Sequence, residues 1–372
     1  MKMSVLKHHT VKIEALSPIF IGSGEKIGKK EYIYLPWDHR VIIPDINKMY
    51  TAIQRKGHGR QFEEYMLKNS QDALGVWLKK MGYQKKDYEA WKRYELEAGD
   101  AFLTAAARSK EIMAFIKDPY GLPYVPGSSI KGMFRTALLA WEVKKNPPAF
   151  GQIKEDIRNN AGRGGRNTVL TRETQQLEEK AFHTLDRGKD IQKKNAVCCN
   201  LAGLVVGDSR PVSTEQLVLT QKVDYSLDRE EKPLPILREA LIPGTDICFD
   251  VTIDTSVCPY SMEDILEALE YFQKICYAGF YKRFRRGSNE ESVVWLGGGA
   301  GFLSKTVLYP MFGAEAYRIT NSIFRATLPP KVYEEHKHRK DLDLKLSPHT
   351  CKCTRYRGEL YDMGMGRIEV LG

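Results

Sequence analysis

The sequence predicts an α+β protein, because short strand patterns and single helix patterns alternate in both halves of its 372 residues. Apolar residues at every second position predict strands, and apolar residues spaced three and four positions apart predict helices. The simplest arrangement that fits this order is a β-α-β-β-α-β unit, ferredoxin-like or RRM-type, that occurs twice. No clear sequence repeat accompanies it, so the duplication is inferred from the pattern alone.

The first half begins with strands and continues into a helical region. Residues 10–16 alternate apolar and polar side chains, and residues 32–35 and 40–44 are expected to form a hairpin. Asp45 can cap the N-terminus of a helix, since its carboxylate can accept from a free backbone N–H. We expect the charged, aromatic sequence that follows to form a helical insertion over about residues 45–118.

A well-marked helix and a polar segment complete the first half. Ser128 or Ser129 can cap this helix, which carries one apolar stripe and is ended by the Asn-Pro-Pro sequence at 146–148. The segment of about residues 150–200 is polar and rich in glycine and arginine, and we expect it to project as an arm. A first domain is therefore predicted over residues 1–200.

The second domain is predicted over residues 201–372. Strand patterns occupy three segments, and a capping box of Ser261 and Asp264 begins a helix that we expect to end at Gly287. A glycine-rich loop follows, and a last strand pattern lies near the C-terminus. The three segments with strand patterns are residues 201–209, 216–226 and 245–255.

Composition limits the classes of function. The formal net charge is +10, which points to a polyanion such as RNA or DNA as partner. No apolar run approaches the roughly 18 residues that a membrane helix needs, and the N-terminus lacks the apolar core of a secretory signal. The seven cysteines include no C-x-x-C pair, so no disulfide framework is predicted. We expect a cytoplasmic protein without membrane contact.

Four segments are candidates for binding a polyanion. At the start of the predicted helix, serine hydroxyls and two cations accompany free backbone N–H groups, although a well-capped core helix explains the pattern equally well. The glycine loop allows close approach of a phosphate–sugar backbone, although glycine runs more often only form a bend. A basic cluster at 282–286 and a Gly-Ser-Gly turn complete the set. The candidate residues are Gly22, Ser23, Gly24, Ser128, Ser129, Lys131, Arg135, Arg283, Arg285, Arg286, Gly298, Gly299, Gly301 and Lys305.

Metal-binding and catalytic patterns are weak. The tail contains H-x-H and H-x-C-x-C, at His336, His338, His349, Cys351 and Cys353, but structural zinc sites usually have C-x₂₋₄-C spacing. Because both thiols of a C-x-C sequence lie on one face of a strand, packing explains the pair as well, and no metal is predicted.

Catalysis has few candidates in the sequence. His8 and His9 are the candidates for acid–base cleavage of RNA, and Asp186 and Asp190 are the candidates for an acidic group on a flexible arm.

Several segments together resemble the RAMP superfamily of CRISPR proteins, and within it subunit five of type III-A (Csm) effector complexes. The resemblance covers nearly the whole chain in the same order. One departure is Gly298, where that family more often has a bulky residue. The segments are LSPIFIGSGE (16–25), VPGSSIKGMFRTAL (125–138), LVVGDS (204–209), LREALIPGTDICFDVTID (237–254), GGGAGFLSKT (297–306) and KLSPHTCKCTRYRGELYDMG (345–364).

The resemblance implies two RRM-type RAMP domains and a non-catalytic protein without a cofactor. It implies binding to the 3′ part of the crRNA, capping of the backbone filament and support of crRNA maturation. The implied partners are the crRNA, the neighbouring backbone RAMP subunit and the small subunit, with target RNA reached only indirectly. The alternative is a metal-independent RAMP endoribonuclease that processes repeat RNA with a histidine. A third hypothesis is a backbone subunit that cleaves target RNA.

Overall fold

The structure, a computed structural model, describes residues 5–68, 72–102 and 111–372. Strands and helices alternate along these residues in a mixed α+β fold with two curled sheets, which confirms the predicted class. We number the strands in chain order. They are β1 (Leu6–Ala15), β2 (Gly22–Ile27), β3 (Ile33–Leu35), β4 (Arg40–Pro44), β5 (Lys92–Glu97), β6 (Ile112–Phe115), β7 (Leu204–Val206), β8 (Leu217–Ser226), β9 (Glu231–Leu241), β10 (Asp246–Asp254), β11 (Val293–Trp295), β12 (Thr350–Tyr356), β13 (Glu359–Asp362) and β14 (Met365–Val370).

The α-helices are numbered in the same way, and short 3₁₀ turns between them are left unnumbered. They are α1 (Ile46–Arg55), α2 (Gly59–Leu67), α3 (Leu74–Lys80), α4 (Lys85–Trp91), α5 (Gly127–Lys145), α6 (Gly151–Asn160), α7 (Thr171–Phe182), α8 (Met262–Gly279), α9 (Leu308–Phe312), α10 (Ala316–Thr327), α11 (Pro330–Glu335) and α12 (Lys340–Leu344).

The smaller sheet has five antiparallel strands in the order β11-β14-β1-β10-β7. Val11 of β1 lies opposite Phe249 of β10, and Ile13 lies opposite Ile247; all four are buried. This burial at every second position is what the alternating sequence predicts. Helix α5 packs over this core, where the rings of Phe134 and Phe249 lie 6.5 Å apart.

The larger sheet runs in the order β2-β6-β9-β8-β5-β4-β3, with β12 paired to β8 and β13 paired to β12. Strand β8 is long enough to pair with β5 near its start, at Val218, and with β12 near its end. One large hydrophobic core extends from Val11 to Ile368, and a second, smaller core lies beneath α1–α4. Each sheet takes strands from both sides of residue 200, and the division into two domains stays a prediction.

The predicted helical insertion over about residues 45–118 is shorter than expected. Asp45 does cap α1, since its carboxylate accepts from the Lys48 N–H at 3.1 Å. The helices end at Trp91, however, and β5 and β6 belong to the larger sheet. Tyr94 and Leu96 are buried at alternate positions of β5, which is the burial pattern of a strand. Parts of the predicted insertion, residues 69–71 and 103–110, lie outside the described residues.

The predicted projecting arm is wrong for residues 150–182. Helices α6 and α7 pack on the body and bury Ile157, Leu177 and Phe182, because their apolar faces need a hydrophobic partner. Most of the segment from 184 to 195 is exposed and contains little regular structure.

The second half also departs from expectation at two points. The capping box of Ser261 and Asp264 is confirmed, but α8 ends at Gly279 rather than at Gly287. The basic cluster therefore lies in and just after a separate 3₁₀ turn at Tyr281–Phe284. Strand β9 was not among the predicted strands.

Candidate nucleic-acid interface

A groove of about 420 Å³ lies where the start of α5, the start of β2 and the loop after β11 meet. Three segments line this one surface, and any two of them are more than 100 residues apart in the sequence. Five of the residues that the sequence singled out line the groove: Gly22, Ser128, Ser129, Gly298 and Lys305.

Helix α5 begins in tight contact with the smaller sheet. The Gly127 N–H donates to the Asp208 carboxylate at 2.7 Å, and a Cβ on Gly127 would lie 2.2 Å from the carbonyl oxygen of Val206. The predicted serine caps are therefore wrong: Ser128 and Ser129 lie within the first turn, and Asp208 satisfies the first N–H instead. Both serines line the groove.

The glycine loop is attached to the segment before β2. The Gly298 N–H donates to the Phe20 carbonyl at 2.8 Å. Gly297 has φ +89°, and a Cβ there would lie 2.3 Å from the same carbonyl oxygen, so a larger residue would force the two segments apart. Gly298 is exposed at the groove, whereas Gly299 is buried against Met363 and Gly301 packs against Lys352.

The Gly-Ser-Gly sequence is an irregular strand start rather than the predicted turn. Gly22 pairs with Phe115 of β6, and the register shifts before Lys26. Gly22 lies at the groove, where a Cβ would meet the Phe20 ring at 2.9 Å. Ser23 and Gly24 are exposed and do not line the groove.

The two cations of α5 are engaged within the chain. Lys131 donates to the carbonyls of Leu201 and Leu204 at 2.8 and 2.6 Å, and burial lowers its pKa. Arg135 makes a two-pronged contact with Glu178 at 2.6 and 3.2 Å. Within the described part of the chain, the cationic residue that lines the groove is Lys305, which is exposed.

The basic cluster at 282–286 lies outside the groove. Arg286 donates to the buried Asp362 carboxylate at 2.9 Å; burial opposes the charge of Arg286, but Asp362 outweighs it and raises the pKa. Arg283 donates to the Leu344 carbonyl at 3.1 Å, and Arg285 is exposed. The 3₁₀ turn contacts the glycine-loop region through Tyr281, whose ring stacks on Trp295 at 4.4 Å.

Sequence reasoning missed one residue that lines the groove and one arginine beside it. Gly132 lies mid-helix in α5, lines the groove and has nothing within 4 Å of a Cβ built on it. Arg238 of β9 lies over the Phe20 ring at 5.1 Å, and its Nε atom is buried without a hydrogen-bond partner. Burial lowers the pKa of Arg238. Gly132 could have been found in the sequence, because it lies next to the candidate Lys131. Arg238 is a lone arginine in a strand, and no sequence pattern marks it.

The histidines and acids proposed for cleavage do not line the groove. His8 lies on β1, where its Nδ1 is 2.9 Å from the Thr252 hydroxyl, and His9 follows it on the same strand. Asp186 and Asp190 lie in the exposed segment after α7.

The His/Cys tail separates into two clusters. Cys351 and Cys353 lie 3.6 and 3.5 Å from the buried Asp362 carboxylate. His338 and His349 instead contact Asp341. Burial opposes ionisation of Asp341, but hydrogen bonds from the two histidines and from a serine outweigh it and lower the pKa to about 2. Asp341 is therefore a carboxylate at neutral pH.

No helix in the described residues combines the length and the apolar character needed to cross a bilayer. The family model of the RAMP superfamily matches residues 12–302. The chain is 30% identical to "CRISPR system Cms protein Csm5" of Mycobacterium tuberculosis (strain CDC 1551 / Oshkosh), over 98% of each chain. It is 28% identical to the protein of the same name from Streptococcus thermophilus, over 78% of each chain.

The fold is also found in solved structures. One belongs to "Csm-crRNA-target RNA ternary complex in type III-A CRISPR-Cas system", with a TM-score of 0.62 and 19% identity over 98% of this chain and 100% of the other. Another is the crystal structure of T. onnurineus Csm5, with a TM-score of 0.62 and 19% identity over 96% of this chain and 100% of the other. From the family match and the relatives together, the chain belongs to the RAMP superfamily and, within it, to the Csm5 family.

Proposed function

We propose that this chain is a non-catalytic RNA-binding subunit of a type III-A CRISPR (Csm) effector complex. The observation that carries the proposal is the groove, which brings together Gly22, the serines of α5, Gly298 and Lys305. Names of the relatives support membership of a Csm system, and one structural neighbour belongs to a complex with crRNA and target RNA.

The groove suits the backbone of a single RNA strand. Gly298 is exposed without a side chain, so a phosphate–sugar chain can approach the loop closely. The hydroxyls of Ser128 and Ser129 can donate to phosphate oxygens, and Lys305 supplies a positive charge. Contacts of this kind do not read bases, so binding is largely independent of sequence and weakens as salt concentration rises.

We further propose that the bound RNA is the 3′ part of the crRNA and that the chain caps one end of the backbone filament. Its neighbours would be a backbone RAMP subunit and the small subunit, and target RNA would be reached through the assembly. In this assignment the protein supports crRNA maturation by positioning RNA. Its two halves would correspond to RRM-type RAMP units. Resemblance to the Csm5 family supports these assignments.

The alternative, a metal-independent endoribonuclease, requires a histidine beside the bound RNA. His8 and His9 lie on β1 and do not line the groove, so the geometry favours binding over cleavage.

The test is incubation of the purified chain with labelled crRNA, with and without EDTA, scoring binding and cleavage together. We expect salt-sensitive binding without cleavage; cleavage that survives EDTA would contradict the non-catalytic assignment. Lys305→Glu should weaken binding about tenfold or more at low salt. Lys86→Glu, on the exposed surface of α4, makes the same change in net charge away from the groove and should leave affinity unchanged. Equal losses of RNA affinity in both variants would contradict the assignment of the groove as the RNA-binding site.

A further inference from the structure

Helix α12 carries a buried carboxylate, Asp341, that lies between two imidazole rings. The Asp341 side chain has no exposed surface, and those of His338 and His349 are 10% and 15% exposed. One carboxylate oxygen lies 3.2 Å from Nδ1 of His338, and the other is hydrogen-bonded to Nδ1 of His349. Donor atoms of the three residues all lie within 4.8 Å of one another.

Among the described residues, no lysine or arginine lies within ion-pair distance of this carboxylate, and the titratable side chains that contact it are the two histidines. A buried charge is costly unless it is paired or coordinates a metal ion. Neutral imidazoles supply hydrogen bonds but no positive charge. A cation shared by the two rings and the carboxylate would supply the missing counter-charge.

We propose that His338, Asp341 and His349 form a zinc-binding site. Imidazole nitrogen and carboxylate oxygen are ligands that Zn²⁺ prefers. Each imidazole would bind through the nitrogen that faces Asp341 and keep its proton on the other ring nitrogen. The site goes beyond the proposed function and does not depend on RNA binding.

The ring geometry agrees with a shared ion. The two imidazole centroids lie 5.4 Å apart, with the rings inclined at 70°. Two imidazoles bound to one tetrahedral Zn²⁺, with Zn–N bonds of about 2.0–2.1 Å, have their centroids roughly 5 Å apart. Both histidines line a cavity of about 420 Å³, from which water can supply the fourth ligand.

Residues around the carboxylate hold it in place. The Ser347 hydroxyl donates to Asp341 at 2.6 Å, and the Asn321 amide approaches the same oxygen at 3.5 Å. Hydrogen bonds of this kind fix the orientation of metal-binding carboxylates.

The second cluster in the tail, Cys351, Cys353 and Asp362, does not need an ion. Asp362 already accepts from the Arg286 guanidinium at 2.9 Å and from the Gly287 N–H at 2.7 Å. Arg286 therefore supplies the cation that the histidine cluster lacks. This contrast assigns the metal to the histidines rather than to the thiols.

The experiment titrates the full chain, freed of metal by a chelator, with Zn²⁺ by calorimetry. We expect one equivalent to bind and to raise the melting temperature. His349→Ala and Asp341→Asn should each weaken binding by more than about 100-fold, because each removes a ligand. The matched control is His336→Ala: this histidine lines the same cavity and forms none of the described hydrogen bonds to Asp341, so binding should be retained.

A spectrum of the wild-type chain with Co²⁺ in place of Zn²⁺ keeps the test independent of whether the variants fold. Nitrogen and oxygen ligands predict visible d–d bands without thiolate-to-metal charge transfer. A charge-transfer band would assign the ion to the cysteines and overturn the proposal. Absence of zinc binding by the wild type, or loss of binding in His336→Ala, would overturn it as well.

Discussion

Replacing Gly132 by glutamate should strengthen the fold and weaken RNA binding at the same time. Gly132 lies within α5, and nothing lies within 4 Å of a Cβ built there, so the added Cβ meets no obstacle. Glycine is about 0.8–1 kcal/mol less favourable than alanine within a helix, and glutamate is nearly as good as alanine. The free energy of unfolding should therefore rise by roughly 0.5–1 kcal/mol.

The same carboxylate would enter the groove. At about 6 Å from a phosphate and an effective dielectric constant of about 40, the repulsion is roughly 1.4 kcal/mol, or a tenfold loss of affinity. Urea unfolding measures the first effect, and fluorescence anisotropy with labelled crRNA measures the second. Gly132→Ala, which adds a methyl group without charge, separates the steric part of the loss from the electrostatic part.

Gly151→Glu is the matched control. Gly151 is the first residue of α6, has nothing within 4 Å of a built Cβ and does not line the groove. Its affinity for RNA should stay within about twofold of the wild type, because a charge outside the groove is largely screened beyond about 10 Å at 0.1 M salt. Wild-type affinity in Gly132→Glu, or equal losses in both glutamate variants, would refute the placement of RNA in the groove.

Two further predictions concern cations that the sequence assigned to RNA binding. Arg286→Glu should lower the free energy of unfolding by about 3–5 kcal/mol, since it leaves the buried Asp362 unpaired, whereas Arg285→Glu on the exposed surface should change it by less than about 0.5 kcal/mol. Urea unfolding measures both, and equal effects would contradict the ion pair. Lys131→Met should lower the free energy of unfolding by about 1–3 kcal/mol, because two backbone carbonyls lose their hydrogen-bond donor. An unchanged unfolding free energy would contradict that contact.

The sequence predicts secondary structure most reliably where buried residues recur at a short, regular spacing. Strand β10 and the second half of β1 bury every second residue, and their alternation is visible without knowledge of their partners. Strand β9 was missed because Pro233 and Pro235 interrupt its pattern, although it forms a hairpin with the preceding strand β8. Strand β5 was hidden among charged, aromatic helices, since its six residues are too few to show a clear period.

The candidate site was predictable in its parts but not in its assembly. The serines of α5 and the glycine loop were identified separately, but their shared groove depends on tertiary contacts such as that between Gly298 and Phe20. Periodicity placed Lys131 and Arg135 off the apolar stripe, which is compatible with free cations. Their partners lie 43 to 73 residues further along the chain, beyond the reach of any local pattern.

Photocrosslinking of the assembled chain to crRNA that contains photoreactive uridines tests the central claim most directly. Mass spectrometry identifies the crosslinked peptides, and a high-salt sample controls for specific contact. We predict crosslinks in peptides that contain Gly22, Ser128 to Thr136, and Gly298 to Lys305, with loss of these crosslinks in Gly132→Glu. Crosslinks confined to other surfaces, such as helices α1–α4, would contradict the assignment of the groove as the RNA-binding site.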